Sequence, residues 1–300
     1  MDRLSHIVAG VDFSACSLDA LAQAKRIASW NRAQVSALHV IDTLVVLDLQ
    51  EALSQIAMQI QDGLVEDART QWKALALEYA WLLDISFECV VNNAVAELTR
   101  RSAPTATRSA LLILGVHGQG RSTWAGSVAA GCVRHAHCPV LLVREGKRER
   151  FSHVVACVDF SDTSKEAVDA AIRVAAQDEA KLHVVHVHTP PRNLLGFVSR
   201  TQLSTLDAAA ARNQVRERLH AFCNTLGSEA LWSNAQIDVV DHAHHGQGII
   251  EYVKGVDADL VVLGVRGRTN LRDLLMGATA ERVVRDAPCA VLTVRPPEVK

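Results

Sequence analysis

HIVAGVDFSACSLDALAQAKRIA, residues 6–28, returns at residues 153–175 as HVVACVDFSDTSKEAVDAAIRVA, with 12 of 23 positions identical. Each copy opens on an apolar run and breaks at Val-Asp-Phe-Ser. It then continues with apolar residues three and four apart, which reads as a strand running into an amphipathic helix. Three further blocks recur in the same order. LHV at Leu38 returns as VHV at Val185, and LLILGVHG, ending at Gly118, returns as LVVLGVRG, ending at Gly267. GSVAAGCVRHAHCPVLLVR from Gly126 returns as GATAERVVRDAPCAVLTVR from Gly277, with 10 of 19 identities. Four blocks in one order are the mark of a duplicated domain. The boundary falls in the short charged linker GKRERF, Gly146–Phe151, giving domains at 1–146 and 151–300.

Each half alternates strand and helix. Strands are expected near 4–11, 35–41, 85–91, 110–115 and 139–144, and again near 151–158, 181–187, 236–241, 258–264 and 289–295. They are continuous Val/Ile/Leu runs, as strands covered on both faces are. Ser17 and Ser164 read as N-caps of the first helix of each half, and Thr163 and Glu166 have capping-box spacing. Leu21, Ala24 and Ala28, matched by Val168, Ala171 and Ala175, form its apolar stripe. A long amphipathic helix is expected over 48–82, with a counterpart over 200–225. The fold class that follows is α/β: two tandem doubly wound, five-stranded, parallel-sheet domains of Rossmann-like topology.

Composition narrows the function. The 300 residues are 49% hydrophobic and 21% charged, which supports packed cores and excludes a disordered chain. Basic and acidic residues number 31 and 33, so the net charge of −2 exerts no global pull toward nucleic acid or an anionic membrane. Only 4% of residues are aromatic, which argues against stacking platforms for single strands. The seven cysteines are scattered without a CxxC pair and do not form a disulfide framework. With no signal-peptide pattern at the start and no run of 18 apolar residues, the expected location is the cytoplasm.

In an open α/β sheet, ligands bind beyond the carboxyl ends of the strands where strand order reverses. Two features mark that edge in each half. One is an Asp ending the first strand, Asp12 or Asp159. The other is a Gly-rich loop leaving the fourth, GVHGQGRSTWAGS from Gly115 or GVRGRTNLRDLLMGAT from Gly264. Glycines let backbone N–H groups approach an anion, and the helix N-terminus that follows favours negative charge. A carboxylate facing such a loop suits a nucleotide, with the Asp at the base or ribose end. Scans for a P-loop, HExxH and GxSxG find nothing, and Gly118-x-Gly120 and Gly246-x-Gly248 both lack the third glycine of a dinucleotide fingerprint. On its own, a Gly-rich turn after a strand is a tight turn more often than a phosphate site.

GVRG, nine residues, then Gly277 resembles the G-x-x-G-(nine)-G-[S/T] motif of the universal stress protein family, as do VDFS and the final strands CPVLLVR and PCAVLTVR. The resemblance covers nearly the whole chain as a tandem two-domain member. It implies an adenine nucleotide alpha hydrolase-like sheet of order 3-2-1-4-5, with ATP as ligand, with or without magnesium. By that resemblance the second-half contacts are Gly264, Gly267 and Gly277 at phosphate, Asp159 near adenine or ribose, and Val187 against the base. The matching first-half residues are Asp12, Val40, Gly115, Gly118, Gly126 and Ser127. It further suggests that the halves pair within the chain as a pseudo-dimer, with homodimerisation of two chains left open.

Both halves depart from the motif. Only seven residues separate Gly118 from Gly126, so the first phosphate loop is two residues short. Ala278 stands where the motif has a hydroxyl, with Thr279 one position on, and Arg266 and Arg268 flank Gly267 as phosphate partners or as solvated surface charges. Trp124 lies in the shortened loop, placed to fill nucleotide space. The second half is therefore the better ATP site. His39 and His186 occupy matched strand positions and read as structural. His188, Asp241, His242, His244 and His245 come to the same edge, where solvated loop histidines outweigh a metal site for want of ligand spacing. No catalytic residues are assigned. The leading reading is a non-enzymatic sensor or adaptor with an unidentified protein partner, slow ATP hydrolysis or autophosphorylation being left open. Its rivals are a scaffold that has lost nucleotide binding in both halves, and a hydrolase or nucleotidyl transferase on a similar fold.

Overall fold

A computed structural model describes residues 4–52, 57–118, 126–189, 205–227, 232, 234–266 and 276–296. The chain divides into two units, Asp2–Glu149 and Arg150–Lys300. The first runs β1 (His6–Gly10), α1 (Ala15–Asn31), β2 (Gln34–Asp42), α2 (Thr43–Ala52), α3 (Ala57–Glu78), a 3-10 helix (Ala80–Asp84), β3 (Ser86–Asn92), α4 (Ala94–Arg101), β4 (Ala110–Gly115), α5 (Ser127–His135) and β5 (Val140–Val143). The second runs β6 (His153–Cys157), α6 (Asp162–Asp178), β7 (Lys181–His188), α7 (Thr205–Asn224), β8 (Gln236–Asp241), α8 (His245–Gly255), β9 (Leu260–Gly264), α9 (Ala278–Asp286) and β10 (Ala290–Val294).

The strands of the first unit lie in the order β3-β2-β1-β4-β5, and those of the second in the order β8-β7-β6-β9-β10. The pairings are parallel: His6 stands beside both Gln34 and Ala110, while Val154 stands beside Leu182 and Leu260. All ten strands fall on the apolar runs. Ile7, Leu112, Ile113, Val154, Val155, Val261 and Val262 have no solvent exposure, as central strands covered on both faces should. The stripes of the two first helices are buried as their spacing requires, from Leu21 and Ala24 to Val168 and Ala171.

The Val-Asp-Phe-Ser turn departs from the sequence expectation in one respect. The N-caps are Ser14 and Ser161, not Ser17 and Ser164, and Thr163 lies inside α6 rather than capping it. The cause is the aspartate. Asp12 Oδ1 accepts from Ser14 N at 3.0 Å and from Ser14 Oγ at 2.6 Å, and Asp159 binds Ser161 N and Oγ in the same way. That double contact turns each chain sharply and starts the helix one turn early. Ser14 Oγ then accepts from Ser17 N, while Ser17 Oγ donates back to Ser14 O. The turn forces Phe13 and Phe160 to φ of 61° and 64°, a left-handed conformation that opposes an L side chain. Ring contacts hold it: Phe13 lies 4.9 Å from His39, and Phe160 lies 4.6 Å from His186. Each histidine donates Nδ1–H at 2.7 Å to the carbonyl ahead of the aspartate, Val11 or Val158. The matched histidines are thus braces of the turn.

A second correction concerns the helix expected over 48–82. Helix α2 begins already at Thr43, α3 ends at Glu78, and residues 80–84 are a 3-10 helix. The counterpart expected over 200–225 is α7 where the structure describes it.

Candidate functional site

In both units the first strand lies between the second and the fourth, and a cleft opens over its carboxyl end. The cleft of the second unit has a volume of about 590 Å³, and every sequence-derived residue within the described part lines it: Asp159, Val187, Gly264, Arg266, Gly277, Ala278 and Thr279. Gly267 and Arg268 lie outside the described residues, as do Gly120 and Trp124 of the first half. The cleft of the first unit, about 260 Å³, is lined by Asp12, Val40, Gly115, Gly118, Gly126 and Ser127.

The wall built on the fourth strand has the same design twice. Gly126 N donates to Val116 O at 2.8 Å, and Gly277 N donates to Val265 O at 3.0 Å, bringing the chain back to start a helix at the cleft. Gly126 and Gly277 are N-caps without a side chain, so α5 and α9 begin with no side-chain cap. A helix start of this kind presents backbone N–H groups and the positive end of the dipole, which suits an anion. Ser127 stands at the first position of α5, and Ala278 holds that position in α9.

The glycines at the strand ends have a packing reason as well. A Cβ on Gly264 would lie 2.7 Å from Thr163 Cγ2, and one on Gly115 would lie 3.0 Å from the backbone carbon of Cys16. Only glycine lets the first helix sit this close to the end of the fourth strand. Gly118 is different. A Cβ there would meet Asp12 Oδ2 at 2.8 Å, so Gly118 itself lies against the carboxylate.

The opposite wall lies outside the glycine motif, although the sequence places His188 and His245 at this edge. In the second unit it is formed by His188, Thr189, His245 and Ile249, and in the first by Ala94 and Leu98. These residues come from the end of the second strand and from the helix after the third. A 3-2-1-4-5 order brings that helix beside the cleft, and the cluster DHAHH was its only sequence signal. His245 Nε2 lies 3.3 Å from Thr189 Oγ1, while His242 Nδ1 accepts from His244 N at 2.9 Å. Among the described residues no three His, Cys, Asp or Glu are arranged to hold a metal ion.

The groups beneath the cleft are poor nucleophiles. Cys157 borders it but is 8% exposed, and burial raises its thiol far above the usual range. Cys16 is buried, donates Sγ–H to Val143 O, and is likewise raised by burial. Burial lowers His186, which keeps its imidazole neutral in its hydrogen bond to Val158. Cys138 and its match Cys289 are buried.

Two doubly wound units, each with a phosphate-type helix start at its switch point, define a tandem Rossmann-like α/β protein. A profile described as "Universal stress protein family" matches residues 4–144 and 150–295, and the chain belongs to that family. It is 25% identical over 300 residues to Universal stress protein Rv2623 of Mycobacterium tuberculosis, covering 96% of each chain. Universal stress protein A homolog 1 of Coxiella burnetii is 30% identical over 146 residues, which is 48% of this chain and 96% of that one. Among solved structures, a universal stress protein from Archaeoglobus fulgidus superposes with a TM-score of 0.57 at 17% identity, covering 97% of this chain and 98% of that one.

Proposed function

We propose that the second unit binds an adenine nucleotide, ATP or a close relative with or without magnesium, and that binding biases the choice of a protein partner. The chain would thereby act as a cytoplasmic sensor or adaptor in a stress response, built from domains at 1–146 and 151–300. One observation carries the reading. The 590 Å³ cleft joins a carboxylate, Asp159, to a glycine-started helix at Gly277, with Arg266 between them in the chain. Small-molecule pockets run from about 300 to 1,000 Å³, so this cleft is of nucleotide size. The phosphates belong on the α9 side and the base on the Val187 side, because Asp159 repels phosphate. Asp159, at the base end of the cleft in this reading, is badly placed to activate water at a terminal phosphate, so the reading is binding rather than turnover.

The first unit supports a different reading. Its cleft of about 260 Å³ lies below that range, and Gly118 lies close against Asp12, so this half is proposed as a structural copy without ligand.

Titration calorimetry with Mg-ATP tests the proposal, together with mass spectrometry of ligand released from freshly purified protein. Ala278→Ser restores a hydroxyl at an exposed position and should tighten ATP binding about tenfold or more. No heat and no thermal shift at millimolar ATP, for the native chain and for Ala278→Ser, would leave the scaffold reading standing.

A further inference from the structure

The two clefts are copies of one design, so residues that differ between them show what one cleft has and the other lacks. On the β7 side of the second cleft stand His188, half-buried, and His245, exposed. The first unit has Ile41 in the sequence position that matches His188, and Ala94 as the first residue of α4, where α8 begins with His245. An apolar wall in one unit is therefore an imidazole wall in the other. His188 and His245 line the same cleft as Gly277, Ala278 and Thr279 at the start of α9, and α8 packs against α9 through Gly246 and Arg282.

We propose that His188 and His245 make anion binding in the second cleft proton-dependent, so that this unit takes up its ligand more tightly as the pH falls. The proposal rests on the nucleotide reading only in that the ligand carries phosphate. Imidazole is the side chain whose charge changes between about pH 5 and 8. A polyphosphate held along the α9 wall brings several negative charges within one Debye length of both rings, which favours their protonated forms.

Among the described residues the charged and titratable groups around the two rings are few, and from α9 Arg282 packs against Gly246, the neighbour of His245. Asp159 and Cys157 come from β6 and its end, and Cys157 is held as a neutral thiol by burial. His186, on the same strand as His188, donates Nδ1–H to Val158 O and burial lowers its pKa, so its geometry makes it a brace of the turn. Arg266 lines the cleft from the β9 side. Asp241, paired in register with His188, lies 3.5 Å from Arg212 of α7. His242 lies 3.8 Å from Glu251, and His244 N donates to its ring. His188 and His245 are thus the imidazoles that line the cleft without bracing the turn.

The test is titration calorimetry at pH 7.5 and 5.5 with Mg-ATP and, separately, with inorganic tripolyphosphate. The proteins are the native chain, His245→Ala, His188→Ile/His245→Ala and His220→Ala, the last altering an exposed residue of α7. For the native chain the affinity should rise several-fold on acidification, with both imidazoles contributing. Because ATP and tripolyphosphate titrate themselves, the decisive quantity is the difference between proteins. His220→Ala should keep the native ratio, the double variant should lose most of it, and His245→Ala, which leaves the core untouched, should lose about half. An equal ratio in the native chain and in His245→Ala and the double variant would overturn the proposal while leaving nucleotide binding intact. Tripolyphosphate binding with the expected ratios and no gain from adenosine would keep the proposal and overturn the nucleotide reading. Absence of binding by both probes at pH 5.5 would overturn both.

Discussion

At residue scale, Gly264 shows how a binding motif and a packing constraint share one position. A Cβ there would strike Thr163 Cγ2 at 2.7 Å. Gly264→Ala should destabilise the second unit by about 1–3 kcal/mol, the usual cost of overpacking. Thr163→Ser removes the struck methyl, so the double variant should recover most of the loss in urea unfolding; strict additivity of the two changes would refute the contact. His183 makes a second case. It is 1% exposed, its ring stacks 5.6 Å from His153, and its Nδ1 lies 3.2 Å from Tyr252 Oη. Tyr252 itself donates to Asp238 Oδ2, so the His183 ring must donate to Tyr252, and its Nε2 has no partner. Burial first, then Lys181 and His153, holds its pKa down to about 4, against 6.5 for a free imidazole. The unfolded chain therefore binds the proton that the folded one refuses. The stability this neutral imidazole contributes is complete above pH 6.5 and declines as the pH falls toward 4, by at most about 1.4 kcal/mol per pH unit. His183→Ser, which installs the residue of the matched position Ser36, should flatten the decline in urea midpoint between pH 7 and 5. An unchanged slope would show that other groups carry the acid sensitivity.

At element scale, the sequence announced the strands, the first helices and the repeat, because apolar runs and helical stripes are local patterns. It did not announce the caps. Each half has two serines at this turn, Ser14 and Ser17 in the first and Ser161 and Ser164 in the second. Only the geometry of a carboxylate binding both the backbone and the hydroxyl of Ser14 or Ser161 selects the earlier one. Ser14→Ala and Ser161→Ala should each cost about 1 kcal/mol in chemical denaturation, as loss of an N-cap does. Ser17→Ala should cost less, because its hydroxyl only donates back to a carbonyl within the same turn. Equal losses at the two positions would restore the cap to Ser17. The site was legible to the same degree. Glycines and the strand-end aspartate are marked by their residue types, whereas the wall from α8 arises from strand order and is signalled locally only by the histidines of DHAHH.

At the scale of the whole molecule, the linker was legible as a change in composition but not as a fixed segment. Gly146–Glu149 is held against α1 by two side chains that solvent hardly reaches, Asp19 at 1% exposure and Gln23 at 0%. Asp19 accepts from Gly146 N at 2.5 Å and pairs with Arg148, while Gln23 Nε2 donates to Lys147 O at 2.9 Å and to Glu149 O at 2.8 Å. The second half has Glu166 and Ala170 at the matched positions, so the repeat itself gave no hint of the clasp. A charged stretch bearing Lys147, Arg148 and Arg150 is chemically an ideal trypsin target, yet cleavage requires an extended backbone free of such contacts. The native chain should therefore be cut at these residues only through local opening, whose free energy includes both Gln23 hydrogen bonds. Gln23→Ala removes both bonds and leaves two carbonyls to water, which should accelerate cleavage at Lys147 and Arg148 by about tenfold, equal to about 1.4 kcal/mol of opening free energy. Cleavage sites read by mass spectrometry within α1 or the strands would signal global unfolding instead. Identical linker cleavage rates for the native chain and Gln23→Ala would show that the clasp does not protect the junction.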